Sequence, residues 1–249
     1  MSIKILLISF LLSAGFFQKK KFIHHEVYSE KNTFSVIVLT ETQGYVHHEA
    51  IKEGVKLIKR LGKKNKFNVT HTNSSEYLSE TELKKNDVLI FLCTTLDVLD
   101  DNEQERMKNF IRNGKGFVGI HSATDTEYNW GWYGKLVGAY FLDHPEIQEA
   151  KIETINKEHI STRHLEDIWE IEDEWYNFKD FNPNINELLN LDEKSYSGGK
   201  NGQYHPITWY HEFEGGRSFY TALGHKGETY RDKRFIKLLL GGILYAAKN

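Results

Sequence analysis

The sequence lacks several features that would narrow its function. It has 249 residues but a single cysteine, Cys93, so neither an intramolecular disulfide nor a cysteine cluster for a metal can form. It contains three prolines and no Pro-rich linker that would mark a boundary between domains. Its formal net charge is −3, so there is no basic field to attract nucleic acid.

Common catalytic and cofactor motifs are also missing. There is no His-Glu-x-x-His zinc helix, no glycine-rich phosphate loop and no dinucleotide-binding glycine fingerprint. The segment Gly119–Ala123 is not the Gly-x-Ser-x-Gly motif of hydrolases, because Ser122 is displaced by one position and the closing glycine is absent. The sequence therefore predicts no nucleotide cofactor.

The composition is typical of a folded domain, and the N-terminal segment has the pattern of an export signal. Hydrophobic residues make up 39% and charged residues 27%, which predicts one large α/β domain over residues 33–249. Lys4 precedes an apolar stretch over residues 5–17, the pattern of a secretory signal peptide, which we place at about residues 1–22. The stretch is shorter than the roughly 20 residues of a membrane span. We therefore expect a periplasmic or secreted protein with no stable membrane span after processing.

Apolar strands alternate with helices in the first half of the chain. Short apolar runs predict strands over Ser35–Leu39, Asn68–Thr72, Val88–Cys93 and Gly116–Ile120. Apolar residues spaced by three and four predict a first helix that ends at Gly62. A second helix is predicted to begin after Asp100 and to end at Gly114. This alternation predicts a mostly parallel, doubly wound sheet.

The second half of the chain is less regular. We predict a strand over Ala150–Ile155, and two further strands over Pro206–His211 and Ser218–Leu223 that pair antiparallel at one edge of the sheet. Ser197–Gly202 is interpreted as a flexible loop, and Phe235–Ala247 as a closing helix.

Ligands of doubly wound sheets bind at the carboxyl ends of the strands. In this chain the rule selects the loops Thr40–His48 and His121–Tyr133. His121 stands where hydrolases and amidotransferases of this architecture carry a nucleophile on a sharp strand-to-helix turn. A histidine there could be a general base, a metal ligand, or a residue that only bonds the backbone. Asp125 could orient His121, bind a sugar hydroxyl, or serve only as a turn acid.

Other polar residues are candidates for the same site. His47 lies in the first loop and would face His121, whereas His48 is interpreted as a surface residue. Histidines beside glycine or proline could join them: His144, His205 and His225. Glu174 lies in an aromatic setting that could raise its pKa towards neutral.

Cys93 ends an apolar run. Because free cysteines are usually buried and inert, a structural thiol is the favoured interpretation. The alternative is an amidotransferase-like hydrolase that uses this thiol as its nucleophile.

Ordered segments over about residues 34–247 resemble the ThuA-like (trehalose utilisation) family, whose fold is related to class I glutamine amidotransferases. They are Gly44–His47, Thr94–Thr95 with Asp97–Leu99, Gly116–His121, Trp132–Gly134 with Leu136–Phe141, His144–Pro145, Asp173–Phe178, His205–Ile207 and Gly216–His225. The resemblance implies a flavodoxin-like three-layer α/β sandwich without the amidotransferase cysteine. It also implies a role in carbohydrate catabolism, often of oxidised (3-keto) disaccharides or glycosides.

These observations together predict an enzyme that processes a glycoside or ketosugar, a hydrolase or lyase and not a glutamine amidotransferase. The catalytic candidates are His121, Asp125 and Glu174; the substrate-binding candidates are Tyr45, His47, Trp132, Tyr176, His205 and His225. A divalent metal such as zinc could bind among His47, His121 and His225. The expected partner is a small carbohydrate and not nucleic acid, and no oligomeric state is indicated. The alternative is a non-catalytic carbohydrate-binding protein that stacks sugars on Trp130, Trp132, Trp175 and Trp209.

Overall fold

A computed structural model describes residues 34–248. The predicted signal peptide lies outside these residues. The strands are β1 (Ser35–Leu39), β2 (Asn68–Thr72), β3 (Val88–Leu92), β4 (Gly116–Ile120), β5 (Tyr140–Asp143), β6 (Gln148–Thr154), β7 (Ile168–Asp173), β8 (Asn177–Lys179), β9 (Asn186–Leu191), β10 (Pro206–Phe213) and β11 (Gly216–Thr221). The α-helices are α1 (His48–Asn65), α2 (Glu80–Lys84), α3 (Asp101–Arg112), α4 (Gly131–Val137) and α5 (Lys233–Ala246).

Nine of these strands form one sheet in the order β2-β1-β3-β4-β11-β10-β9-β6-β7. The five strands from β2 to β11 are parallel to one another. The four strands from β10 to β7 continue the sheet in antiparallel fashion. We call these the parallel half and the antiparallel half. β5 and β8 pair separately, as a two-stranded sheet.

The parallel half has the sequence pattern that its burial requires. Every residue of β3 and β4 is buried, which is why these strands read as continuous apolar or small-residue runs. Helices therefore cover both faces, which gives the predicted three-layer α/β sandwich. α3 begins at a capping box in which Asp100 accepts from the Glu103 backbone and Glu103 accepts from the Asp100 backbone.

Two predictions about local structure were wrong. α1 does not end at Gly62 but continues to Asn65, where Lys66 adopts the left-handed conformation that ends a helix. Gly62 instead lets Phe67 pack closely, because a Cβ there would lie 2.7 Å from the Phe67 carbonyl oxygen. β10 and β11 do pair antiparallel, but β11 lies in the middle of the sheet beside β4 and not at an edge.

The glycine-containing loop over 197–202 is hydrogen-bonded rather than free. Glu193 accepts the backbone N–H groups of Asn201 and Gly202 at 2.7 and 2.9 Å, and Asn177 donates to the Gly198 carbonyl oxygen at 3.0 Å. This loop is therefore anchored to the segment that follows β7. Over residues 34–248 no helix is long and apolar enough to cross a membrane.

Candidate active site

His121 lies on a sharp turn at the end of β4, as predicted. Its backbone has a φ of 53°, a left-handed conformation that is uncommon for a residue with a Cβ and that concentrates at functional sites. A short 3-10 helix over His121–Thr124 follows directly. Tyr220 on the neighbouring β11 stabilises the turn by donating its hydroxyl to the His121 carbonyl oxygen at 2.7 Å.

The imidazole of His121 is completely buried, and its hydrogen bonds fix its tautomer. Nδ1 lies 2.8 Å from the Ala222 carbonyl oxygen, which can only accept, so Nδ1 carries a proton and donates it. In the neutral ring Nε2 is then an unprotonated acceptor, and the Tyr176 hydroxyl donates to it at 3.0 Å. This arrangement, in which Nδ1 donates to a carbonyl and Nε2 keeps its lone pair, suits both a base and a metal ligand.

Three other side chains meet at Nε2 of His121. His225 Nδ1 lies 3.2 Å away and Glu174 Oε2 3.3 Å away, and these two are 3.1 Å from each other. The His47 ring lies edge-on, with its centroid 4.7 Å from that of His121 and 5.1 Å from that of His225. One potential ligand atom from each of the four residues lies within 4.8 Å of all the others. We call His47, His121, Glu174 and His225 the His–Glu cluster.

Both halves of the sheet supply the cluster. His47 follows β1 and is the N-cap of α1, His121 follows β4, and His225 comes four residues after the end of β11. These three come from carboxyl ends of parallel strands, as the rule for doubly wound sheets predicts. Glu174 comes directly after β7, the far edge strand of the antiparallel half.

The carboxylate of Glu174 is ionised in this environment. Its burial would raise its pKa, but the close approach of His121 and His225 holds that pKa well below its usual range. The aromatic setting therefore does not raise it towards neutral as the sequence suggested. Burial lowers the pKa of His225, but the hydrogen bond and charge of Glu174 outweigh burial and raise it.

His47 is neutral. Its burial, together with the nearby His121 and His225, lowers its pKa to about 2. A neutral imidazole keeps a lone pair for coordination or proton transfer. Three imidazoles with one ionised carboxylate form a donor set that zinc and similar divalent ions bind. The residues present therefore fit such an ion.

Asp173 supports the cluster from behind. This carboxylate is fully buried and accepts the backbone N–H groups of Glu174 (2.9 Å), Gly224 (2.9 Å) and His225 (3.1 Å). It also accepts the hydroxyl of Thr229 at 3.0 Å. One carboxylate thus fixes the spacing between Glu174 and His225. In the sequence, nothing distinguishes Asp173 from the other residues of the segment Asp173–Phe178.

Two predicted site residues lie near the cluster in other roles. The Asp125 carboxylate accepts the Tyr128 hydroxyl at 2.6 Å, so its position is set by Tyr128 and not by His121. Burial raises the pKa of Asp125. His205 lies behind Tyr176, where it donates to the Tyr176 carbonyl oxygen at 2.8 Å and contacts Glu193 at 2.7 Å. Glu174, and not Asp125, is the carboxylate that contacts His121.

Tyr45 and His144 lie at the opening of the cluster. The Tyr45 side chain is 67% exposed, and its ring packs edge-on against His47 at 4.7 Å. His144 is also exposed; its Nε2 lies 3.4 Å from Glu174 Oε1, the oxygen that does not face His121. Its motif beside Pro145 was noted from the sequence, but nothing in the sequence distinguished it from the other histidines.

The tryptophans do not form a sugar-binding surface. Trp175 and Trp209 are fully buried and Trp130 is 8% exposed. Trp132 is partly exposed, but it stacks on Trp130 and donates to Glu214 on the hairpin before β11, at the opposite end of the parallel strands from His121. The structure therefore does not bring Trp132 into the site.

Cys93 is a buried structural thiol, as predicted. Burial raises its pKa to about 12, so the thiolate that a nucleophile requires is suppressed. The turn that corresponds to the nucleophile position carries His121 instead.

Comparison with solved structures defines the fold class first. A ThuA-like protein from Bacteroides uniformis superimposes with a TM-score of 0.74 and 23% identity, over 86% of this chain and 91% of that one. A ThuA-like protein from Parabacteroides merdae gives 0.73 and 17%, over 86% and 90%. A β-galactosidase from Bacillus circulans gives 0.55 and 13%, over 86% of this chain but 31% of that one. The chain has the flavodoxin-like, glutamine amidotransferase-like α/β fold of these proteins.

The family follows from the sequence. The family described as ThuA, trehalose utilisation, matches residues 35–246, which is nearly the whole described chain. The protein therefore belongs to the ThuA family, and the resemblance identified from its motifs is confirmed. Among curated proteins, a search finds no match.

Proposed function

We propose that this protein is an enzyme that acts on a sugar or glycoside, including 3-keto forms, and that its His–Glu cluster binds one divalent metal ion such as zinc. The observation that carries the proposal is the convergence of one donor atom from each of four residues within 4.8 Å. Buried histidines and a buried carboxylate aimed at one point are costly unless an ion, a proton or a substrate occupies it. The family's link to trehalose utilisation supports a carbohydrate as the substrate.

The chain's own residues suggest how a sugar would be handled. When bound, the ion would polarise a substrate oxygen or lower the pKa of a coordinated water. Tyr45 would present its exposed ring to the sugar at the opening. His144 would hydrogen-bond a sugar hydroxyl from the solvent side while it stays in contact with Glu174 Oε1. Asp173 would hold Glu174 and His225 at their spacing.

A metal-free version of the same function has one observation in its favour. The bond from Nδ1 to Ala222 assigns the proton of the neutral ring to Nδ1, so Nε2 of His121 is the nitrogen that could act as a general base. In that case Glu174 would stabilise the imidazolium that forms when His121 takes a proton. Metal analysis separates the two versions.

The non-catalytic alternative has less support. It relied on four tryptophans stacking against sugar rings, but Trp175 and Trp209 have no exposed surface. Stacking requires an accessible ring face. The alternative also leaves the His–Glu cluster unexplained, because stacking of sugars on aromatic rings does not require it.

The test combines metal content with turnover. Elemental analysis of the purified protein and a zinc titration would establish whether an ion binds, and assays on glycosides and their 3-keto forms would detect turnover. His47→Ala is compared with His48→Ala, since His47 is buried in the cluster and His48 is exposed beside it. We expect His47→Ala to lose zinc and turnover and His48→Ala to keep both. Unchanged zinc binding and turnover in His47→Ala would refute the proposal, and turnover without metal would favour the general-base version.

We also propose that the protein acts outside the cytoplasm, on the strength of the apolar N-terminal stretch. Cell fractionation with N-terminal sequencing of the mature chain would test this. Recovery of the intact chain from the cytoplasm would contradict it.

A further inference from the structure

We infer that Tyr176 is displaced from His121 when the metal binds, and that its hydroxyl then donates to the substrate oxygen at the metal. The inference rests on the proposed metal-binding function of the His–Glu cluster. It assigns Tyr176 two successive hydrogen-bond partners and makes it a catalytic residue that touches the substrate.

One lone pair on His121 cannot serve two partners. Nδ1 donates to the Ala222 carbonyl oxygen at 2.8 Å, so in the neutral ring the available lone pair is on Nε2. The Tyr176 hydroxyl donates to that lone pair at 3.0 Å. Coordination of a metal through Nε2 uses the same electrons. The hydrogen bond from Tyr176 and the metal bond are therefore mutually exclusive.

The tyrosine has little freedom to leave the site. It is 3% exposed, and its ring packs against Phe141 with centroids 4.3 Å apart. Its carbonyl oxygen accepts from His205 Nε2 at 2.8 Å, and His205 is in turn held by Glu193 at 2.7 Å. The backbone is thus held and the ring is confined, so a small side-chain movement would take the hydroxyl off the Nε2 lone pair and leave it inside the site, where it needs a new acceptor.

A new acceptor would be within reach of the Tyr176 hydroxyl. The hydroxyl lies 3.0 Å from Nε2 of His121, so a substrate oxygen bound next to that nitrogen would lie close to it. A sugar carbonyl or hydroxyl oxygen bound there would gain negative charge during reaction. A pre-positioned phenol in a site shielded from water stabilises such charge effectively.

The experiment uses Tyr176→Phe, for which the two roles predict opposite effects. Removing the hydroxyl removes a competitor for Nε2, so we expect zinc to bind about two- to tenfold more tightly, as measured by competition with a chromophoric chelator. Removing the same hydroxyl removes the donor to the substrate, so we expect kcat on the substrate found by the glycoside panel to fall about a hundredfold or more. A merely structural role would weaken both zinc binding and turnover.

Tyr133→Phe is the matched control. Tyr133 is also buried, and its hydroxyl donates to the Ala123 carbonyl oxygen at 2.6 Å, close to the cluster but not on a candidate ligand. Tyr133→Phe should therefore leave zinc affinity unchanged. Equal or weaker zinc binding in Tyr176→Phe, or tighter binding with an unchanged kcat, would overturn the inference. If the wild-type protein bound no zinc at all, the proposed metal function itself would fail, and this inference with it.

Discussion

The two halves of the sheet contribute to the site in different ways. The parallel half supplies the nitrogen donors His47, His121 and His225 at the carboxyl ends of its strands, where this architecture usually binds ligands. The antiparallel half supplies the negative charge of Glu174, together with Tyr176 and the supporting Asp173. The ligand-binding edge common to parallel sheets has thus been completed by an extension that adds a carboxylate and its supports. We therefore expect substitutions in the two halves of the sheet to affect the site in different ways.

The largest effect should come from removing one potential metal ligand that either half of the sheet supplies. His121→Ala and Glu174→Gln should each lower zinc affinity and turnover by about a thousandfold or more, which corresponds to roughly 4 kcal/mol. Glu174→Gln keeps the shape of the side chain and removes the charge that raises the pKa of His225. Zinc titration and initial rates measure both effects. Full activity in Glu174→Gln would mean that the antiparallel half is only a scaffold.

Zinc itself should stabilise the fold through both halves. At a free concentration of 100 times its Kd, zinc should add about 2.7 kcal/mol to the free energy of unfolding. For a domain of this size that is a rise in Tm of roughly 5 to 10 °C. His121→Ala should show no rise, and differential scanning calorimetry measures the difference. An equal rise in His121→Ala would indicate that zinc binds elsewhere.

Asp173→Asn should have an intermediate effect, because Asp173 holds Glu174 and His225 in place but is not itself a potential metal ligand. The amide oxygen can replace one carboxylate oxygen, but the amide N–H groups would face backbone N–H donors. We expect zinc affinity to fall about 10- to 100-fold. Thr229→Val removes only one of the four donors to Asp173 and should cost less. If Thr229→Val were the more damaging change, Asp173 would not be the residue that sets the spacing.

The smallest effect should be a change in stability caused by Glu187, which lies in the antiparallel half. Burial raises the pKa of Glu187 on β9 from 4.5 to about 7, and among residues 34–248 its Oε1 finds no hydrogen-bond partner. As pH rises from 4.5 to 7, the unfolded chain loses this proton while the folded chain retains it, so stability falls across that window. Glu187→Gln should therefore raise Tm by about 1 to 3 °C at pH 8 and leave it unchanged at pH 4. The same shift at both pH values would contradict the assigned cause.

The parallel half was also the half that the sequence predicted best. Buried runs such as Val88–Leu92 are apolar throughout because both faces of the strand are covered, so their bounds could be predicted to within a residue. The turn at His121 could be predicted because a glycine precedes it and small residues follow it in a strand-to-helix context. His47 followed from the rule about strand ends, whereas His225 was a candidate because it stands beside a glycine.

The antiparallel half was harder to predict because its features depend on distant partners. β9 reads Asn-Glu-Leu-Leu-Asn-Leu, which has no clear alternation, and it became a strand only by pairing with β6 and β10. The position of β11 beside β4 depends on long-range pairing that adjacent sequence does not encode. The pKa of Glu174 was misjudged because its neighbours His121 and His225 are far away in the sequence. Trp132 was selected by residue type, which does not determine where a side chain points.

The wide spacing of the four cluster residues along the chain has a consequence for folding kinetics. Zinc sites whose ligands lie within one helix or one short loop can form while most of a chain is still unfolded. Here residues 47, 121, 174 and 225 meet only after both halves of the sheet have assembled, and such long-range contacts form late. Metal capture would then mark the completion of folding, and zinc uptake followed during refolding would time its last step.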